Sequence, residues 1–436
     1  MKVLFIIGRV GIGGHARSAL SIGRALAAKG VQVHVAAGEG KGISLLEKSG
    51  LPYTIFPTGY EKGYVINLQS FRSFSRINKT FSPDVFHAFD SNALILGYRH
   101  AKKNSKKLVY TICGGPVPRK SIPVMRPLVV FSNELKQGLM EKGFPEENIS
   151  VHAGRIEFEN KKYTEKYLVD FLNQLKIPKD DRIVLMVSRI ATSKIPALLN
   201  FVKAADYVGA GHSVKFLIVG SADDSLSLNK LQESIHDVNR SHSQTLITWT
   251  DHGSEQASGL LPLASIAVGM GRSAYEAMSV GLPTLVIGNH GFSALACSDT
   301  FATLMEKNFS GRDASDRPED DASPEKAGQV IVDLLNDPGR AEKIGQEGMS
   351  WINDHLTAEK GAEFYSNIYK KENDYFILPA QSAVRKLYFR TIGFRILNPV
   401  YKLLAPIKFQ NYISKKNKEI HNKKTDFTLL TKNIPS

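Results

Sequence analysis

Two basic side chains, Arg189 and Lys194, lie five residues apart in SRIATSK, just after the apolar run RIVLMV. Further along, VGMGRSAYEAMSVGLP sets Gly269 and Gly271 before a helical stretch that includes Arg272, Ser273 and Glu276. Permanent positive charge beside a glycine-rich turn at a helix start suits a diphosphate. The glycines let backbone N–H groups come close, the helix dipole favours negative charge, and the cations neutralise the phosphates. Such a cradle stabilises a departing pyrophosphate without a metal. Glu276, one turn into the helix, can accept hydrogen bonds from both hydroxyls of a ribose. Plainer roles exist for each: Arg189 as a surface ion-pair partner, Glu276 as a solvated carboxylate, Arg272 as an inter-domain salt bridge.

A second glycine cluster, GIGGHA, follows the apolar run KVLFIIG and opens a helical stretch, with Glu39 at the end of the next strand-like run. The pattern G-x-G-x-x-A in that setting is a dinucleotide fingerprint. Gly13 and Gly14 could equally offer amides to another anion, so the motif alone leaves an NAD-dependent oxidoreductase open. His87 and Asp90, in DVFHAFDSN, close a strand-like run that should face the cleft. Either could be a base that activates an acceptor hydroxyl, with a structural hydrogen bond as the bland alternative. Cys113 reads as a small cleft-lining residue rather than a nucleophile. No cluster has metal-ligand spacing, so no metal is expected, and Asp223-Asp224 reads as turn chemistry.

What must hold these residues is a pair of α/β halves. KVLFIIG, VQVHVAAG, DVFHAF, KLVYTIC and LVVFS read as strands, alternating with helical segments such as SALSIGRALAAKG and NELKQGLMEKG. After a polar stretch around 160–181 the pattern restarts. DRIVLMVSR, VKFLIVGS, TLITWT, SIAVGM and PTLVIGN are strands, with IPALLNFVKAADYVGAG and SAYEAMSVG as helices. Alternation of this kind predicts parallel sheets. The acidic, turn-rich SGRDASDRPEDDASPEK reads as an exposed loop.

A chain of 436 residues with two cysteines carries no disulfide framework and fits a reducing compartment. The N-terminal apolar run is too short for a secretory signal, and no stretch approaches the roughly 18 apolar residues of a membrane span. A soluble or peripheral cytoplasmic protein is expected. The net charge of +14 is uneven: from Arg385 onward twelve bases stand against two acids. RKLYFRTIGFRILNPVYKLLAPIKFQNYISKK interleaves those bases with apolar residues, which suits an anionic membrane surface, with packing against the N-terminal domain as the plainer alternative. Nucleic acid is not expected as a partner.

Taken together, GIGGHARSALSIGRALAAKG, FSNELKQGLMEKGFPEENISVHAG, SRIATSK and GMGRSAYEAMSVGLPTLV resemble the GT-B type glycosyltransferases of the glycogen-synthase-like group 1, family 4 kind, over roughly residues 1–372. The resemblance implies two Rossmann-like domains facing across a cleft, with a nucleotide-sugar donor of UDP or GDP type as substrate and no cofactor. It implies an acceptor domain over 1–165 and a donor domain over 166–355. A closing helix over 356–376 would cross back to the first domain, and a basic amphipathic tail would fill 377–436. By resemblance Arg189 and Lys194 hold the donor diphosphate, while Gly269, Gly271 and the amides of Arg272 and Ser273 line sugar and phosphate. Glu276 holds the ribose, and the segment at Trp249 and Thr250 borders the base. Two departures stand out. Val268 replaces the first glutamate of the family's E-x7-E pattern. Cys113 stands where a histidine often contacts the sugar, leaving Gly114 and Gly115 as backbone donors. The expected reaction is hexose transfer to a glycan or lipid-linked acceptor in cell-surface polysaccharide or lipopolysaccharide synthesis. A sugar-nucleotide epimerase and a non-catalytic adaptor remain as alternatives.

Overall fold

The structure is a computed structural model that describes residues 1–58, 66–115, 117, 122–157, 163–209, 213–251, 257–289, 291–312 and 324–389. The first half alternates β1 (Lys2–Ile7), α1 (Gly14–Ala28), β2 (Gln32–Gly38), α2 (Ile43–Lys48), β3 (Tyr53–Phe56), α3 (Leu68–Phe81) and β4 (Val85–Ala88). It continues with α4 (Ser91–Asn104), β5 (Lys107–Ile112), β6 (Leu128–Val130), α5 (Asn133–Met140) and β7 (Ile149–Val151). All seven strands are parallel, in the order β3-β2-β1-β4-β5-β6-β7. The run Val3–Ile7 is apolar throughout because both faces of the sheet are covered. Leu4 and Ile6 face α3 and α4, whereas Val3, Phe5 and Ile7 face α1.

The second half holds α6 (Glu165–Gln174), β8 (Arg182–Val187), α7 (Ile195–Val208), β9 (Val214–Val219), α8 (Ser225–Ser241) and β10 (Ile247–Thr250). Next come β11 (Ile266–Gly269), α9 (Arg272–Met278), β12 (Thr284–Ile287), β13 (Ser293–Leu295), α10 (Phe301–Glu306), α11 (Pro324–Asn336) and α12 (Pro338–His355). The sheet order is β10-β9-β8-β11-β12-β13, parallel except for the antiparallel edge strand β13. Phe171 and Leu172 of α6 pack beneath this second sheet, so α6 belongs with the second domain.

The chain then returns. In α13 (Ala358–Lys370), Ala362, Tyr365, Ile368 and Tyr369 share a core with Phe5, Ile22 and Leu26 of the first domain. Residues 381–389 form a further helix, α14, whose Val384 and Leu387 pack on the opposite face of the same sheet. The part of the expected tail up to 389 is therefore folded onto the first domain, because Val384, with Leu387 and Tyr388 three and four residues on, gives the helix one apolar side. The remainder, 390–436, lies outside the described residues, as does most of the acidic loop (313–323). Among the described residues no helix is long and apolar enough to cross a membrane.

Candidate active site

In open α/β sheets ligands bind at the carboxyl ends of the strands where the order reverses. Here that point is between β1 and β4 in the first sheet and between β8 and β11 in the second. The loops after β1, β8 and β11 meet across the domain cleft around a cavity of about 220 Å³. Gly13, Gly14 and Arg17 line it from the first domain; Ser188, Arg189, Lys194, Gly220, Arg272 and Glu276 line it from the second. Met270 and Ser273 complete the donor-loop side.

Three helices begin at this cavity, and none has a side-chain cap. α1 starts after Gly13, α7 after Lys194 and α9 after Gly271. By contrast α3, α4, α5 and α8 are capped by Asn67, Asp90, Ser132 and Asp224. Uncapped first-turn amides are donors for an anion, and α1 and α9 offer them. At α7 the Ile195 amide already donates to the Ala191 carbonyl at 3.1 Å, and Pro196 has none. Gly269 and Gly271 make the donor loop possible. A Cβ on Gly269 would stand 2.8 Å from the Ala274 nitrogen, and Gly271 has φ +58°. The Gly271 amide donates to the Phe309 carbonyl at 2.7 Å, which fixes the turn from below.

The charges are arranged in two groups. Lys194 is mostly buried, with Nζ 3.7 Å from the Met270 sulfur. Burial, followed by the nearby Arg189 and Arg312 guanidinium groups, lowers its pKa. An incoming diphosphate relieves that repulsion. Arg189 is 44% exposed and donates to Asp223 Oδ2 at 2.8 Å while still lining the cavity. The second group crosses the cleft. Glu276 Oε1 accepts from Arg272 Nε at 2.7 Å and from Arg17 Nη1 at 3.3 Å. Arg272 extends further, to the Arg155 carbonyl and the Ser21 hydroxyl, each at 3.4 Å. Arg272 is thus both a cavity residue and an inter-domain tie.

Beneath this tie lies Arg155, a nearly fully buried cation on the segment leaving β7. Its guanidinium carbon sits 4.3 Å from the Phe131 ring centroid and 5.2 Å from that of Tyr275, and Nη2 donates to Asn308 Oδ1 at 2.9 Å. Two aromatic faces and an amide thus hold the domains together under the donor loop.

The sequence models described as Glycosyltransferase Family 4 and Glycosyl transferases group 1 match residues 12–152 and 170–317, one on each domain. The chain belongs to the group 1 glycosyltransferases. It is a glycosyltransferase enzyme of GT-B fold. Among solved structures, an Anabaena protein (HepE) in complex with UDP and glucose superposes with a TM-score of 0.63 at 15% identity, covering 84% of this chain and 99% of that one. A glycosyltransferase from Rickettsia africae gives 0.62 at 18% identity, over 85% and 97%. A UDP-GlcNAc 2-epimerase from Methanocaldococcus jannaschii gives 0.53 at 14%, over 85% and 100%. At these identities the likeness is one of fold. No curated protein matches in sequence.

Several expected residues of the glycosyltransferase lie elsewhere. His87 does not face the cleft. It is fully buried, with Nδ1 2.6 Å from the Tyr369 hydroxyl and Nε2 2.7 Å from that of Thr111, and burial pushes its pKa well down. The ring joins β4 and β5 to α13, so it is structural. Asp90 is a cap: Oδ1 accepts from the Asn92 and Ala93 amides, and Oδ2 from Gly8. Both oxygens are taken by backbone. Cys113 packs at the domain interface, where burial raises its thiol to about 12. Gly114, at φ +95°, passes close to the Asn308 amide, and Gly115 follows at φ +89°. None of these three lines the donor cavity. Val268 is buried in the core of the second domain.

Trp249 and Thr250 support the cavity from behind. The indole donates to the Gly220 carbonyl at 3.0 Å, and the Gly220 amide donates to Thr250 at 3.2 Å. The loop after them, 252–256, lies outside the described residues. Glu39, the acid of the dinucleotide fingerprint, accepts from the Thr58 amide at 3.1 Å and does not line the cavity. Asp224 caps α8, as turn chemistry would have it.

Sequence reasoning missed Arg17, Ser188 and Gly220. Arg17 was signalled only by a base one turn into the helix after the glycine loop. Gly220 ends β9, and a Cβ there would stand 1.9 Å from the Ser188 carbonyl oxygen. Gly220→Ala is expected to lower stability by about 2 kcal/mol, as overpacking does. It should also push the Ser188–Arg189 turn into the cavity and weaken nucleotide binding, which denaturant titration and calorimetry would measure together. Among the described residues no cluster of His, Cys, Asp or Glu is built to hold a metal ion.

Proposed function

We propose that this glycosyltransferase moves a hexose-type sugar from a nucleoside-diphosphate sugar, of UDP or GDP type, to a hydroxyl of a glycan or lipid-linked acceptor. Cell-surface polysaccharide or lipopolysaccharide synthesis is the setting. The observation that carries this reading is the cavity itself. Arg17, Arg189, Lys194 and Arg272 converge there with the uncapped starts of α1 and α9, and Glu276 is the single carboxylate among its lining residues. The solved Anabaena relative holding UDP and glucose supports the same donor class.

In this reading Arg189, Lys194 and the donor-loop amides at α9 stabilise charge as it builds on the diphosphate, without calling on a metal or a cofactor. The bond between the sugar C1 and the phosphate oxygen breaks, and the acceptor oxygen bonds to C1. With His87 and Asp90 committed to the fold, the acceptor proton passes to a departing phosphate oxygen. Glu276 turns from its arginines to the ribose hydroxyls. The bases of 390–436 hold the enzyme peripherally at the inner face of the cell membrane.

Thermal shift against UDP, GDP, ADP and NAD(H) tests the donor. A ligand at a hundred times its Kd should add about 2.7 kcal/mol of stability. UDP or GDP should do so, and the matching sugar nucleotide should turn over with an acceptor. Stabilisation by NAD(H) alone, or conversion of the sugar nucleotide to its epimer without an acceptor, would refute the reading.

A further inference from the structure

Three helices on one face of the first domain carry bases and no acids, with Asp84, beside Lys106 at 3.9 Å, the exposed acid that follows α3. α3, α4 and α14 pack on the same face of the sheet and share one core. The Phe71 and Tyr388 rings are 6.1 Å apart, and Lys102 Nζ donates to Gln381 at 3.1 Å, which ties the three helices together. Outward, α3 presents Arg72, Arg76 and Lys79, and α4 presents Arg99, Lys102 and Lys103, all exposed. α14 adds Arg385 and Lys386. None of the three helices contains an aspartate or glutamate. The outer helices of the second domain, α8, α11 and α12, carry both signs. At the far end of the basic face, Lys79, Lys103 and Lys106 line a polar groove of about 490 Å³ between α3 and α4.

The same face exposes two large apolar side chains, Leu68 at 63% and Phe389 at 66%. Leu68 stands one turn before Phe71, and Phe389 follows Tyr388, so both flank the ring contact that joins α3 to α14. Leu68 begins α3 at the carboxyl edge of the sheet, the edge that also carries Gly13 and Gly14. The basic groove is at the opposite end.

We propose that this face docks the enzyme on an anionic lipid bilayer, with Leu68 and Phe389 entering the headgroup layer and the cations resting on the lipid phosphates. A polyanion such as RNA matches the charge but offers nothing to the two apolar side chains, whereas a bilayer takes both. Docking in this orientation brings the carboxyl edge of the sheet, where Gly13 and Gly14 lie, close to the lipid surface. The use of that orientation rests on the reading of a lipid-linked acceptor above; the docking itself does not.

The test is sedimentation of the full chain with phosphatidylglycerol-containing vesicles. Each cation near such a surface contributes about fivefold in partitioning, so the triple variant Arg72→Gln, Arg76→Gln, Lys103→Gln should bind on the order of 100-fold more weakly. Leu68→Ser with Phe389→Ser should weaken binding roughly tenfold. Lys203→Gln, Lys230→Gln and Lys343→Gln on the second domain should change little. All variants keep the bases of 390–436, so binding through that segment alone would leave the triple variant equal to the parent and overturn the proposal. Equal binding to neutral phosphatidylcholine vesicles would overturn it too. So would tighter binding to RNA that ignores the Leu68 and Phe389 changes. An unaltered nucleotide thermal shift in each variant establishes that the fold and donor site are intact, which separates a failure here from a failure of the donor assignment.

Discussion

Arg189→Ala is expected to lower turnover on the order of 10²-fold or more, as loss of an oxyanion donor does in other enzymes. The competing account is that Arg189 serves only its ion pair with Asp223. Both partners are 44% exposed, and exposed pairs of this kind contribute roughly 0–1 kcal/mol. The two accounts therefore separate cleanly. If the guanidinium works on the diphosphate, the variant keeps its melting temperature and loses rate. Asp223→Ala gives the complementary reading: it releases Arg189 to the cavity and should leave turnover within a few fold of the parent. Wild-type turnover in Arg189→Ala would remove the main support for the donor assignment.

Glu276→Ala should have the largest effect on stability. Its side chain is 14% exposed, and its two partners Arg17 and Arg272 are each 16% exposed. Removing the carboxylate leaves two largely desolvated cations facing Arg189 and Lys194 across one small cavity. Deleting one partner of a fully buried ion pair costs about 3–5 kcal/mol, and for this partly buried cluster the loss should fall below that range. A falling melting temperature alone would not separate electrostatics from packing, so the informative measurement adds inorganic pyrophosphate. The anion should restore much of the lost stability, and the thermal shift it causes should exceed that of the parent. A variant as stable as the parent, or one that pyrophosphate does not rescue, would show that the carboxylate does not balance the cleft charge.

Most strands legible from sequence were those buried on both faces, since an unbroken apolar run such as Val3–Ile7, closed by glycine after so few residues, suits a strand better than a helix. β3, β7 and β13 were not read, because they are short edge strands that are mostly only partly buried, so no unbroken apolar run marks them. The boundary at 165/166 falls at the first residue of α6, whose packing under the second sheet rests on Phe171 and Leu172 with Leu168 and Leu175 beside them. For the basic tail the sequence left two readings, a membrane segment or packing against the first domain; 377–389 packs, burying Val384 and Leu387 while Arg385, Lys386 and Phe389 stay exposed.

By itself the sequence determined the alternation of strand and helix, the glycine turns, and the types of side chain that stand beside them. Those are local properties, set by backbone sterics and hydrophobic period within a few residues. Tertiary structure alone decided who meets whom. It buried His87 between Thr111 and Tyr369, spent both oxygens of Asp90 on backbone amides, moved Cys113 to the domain interface, and brought Arg17 to Glu276 from 259 residues away. Strand-end position could suggest that a side chain faces the cleft. Whether it does depends on what packs over it, and for His87 the covering helix α13 comes from the other end of the chain.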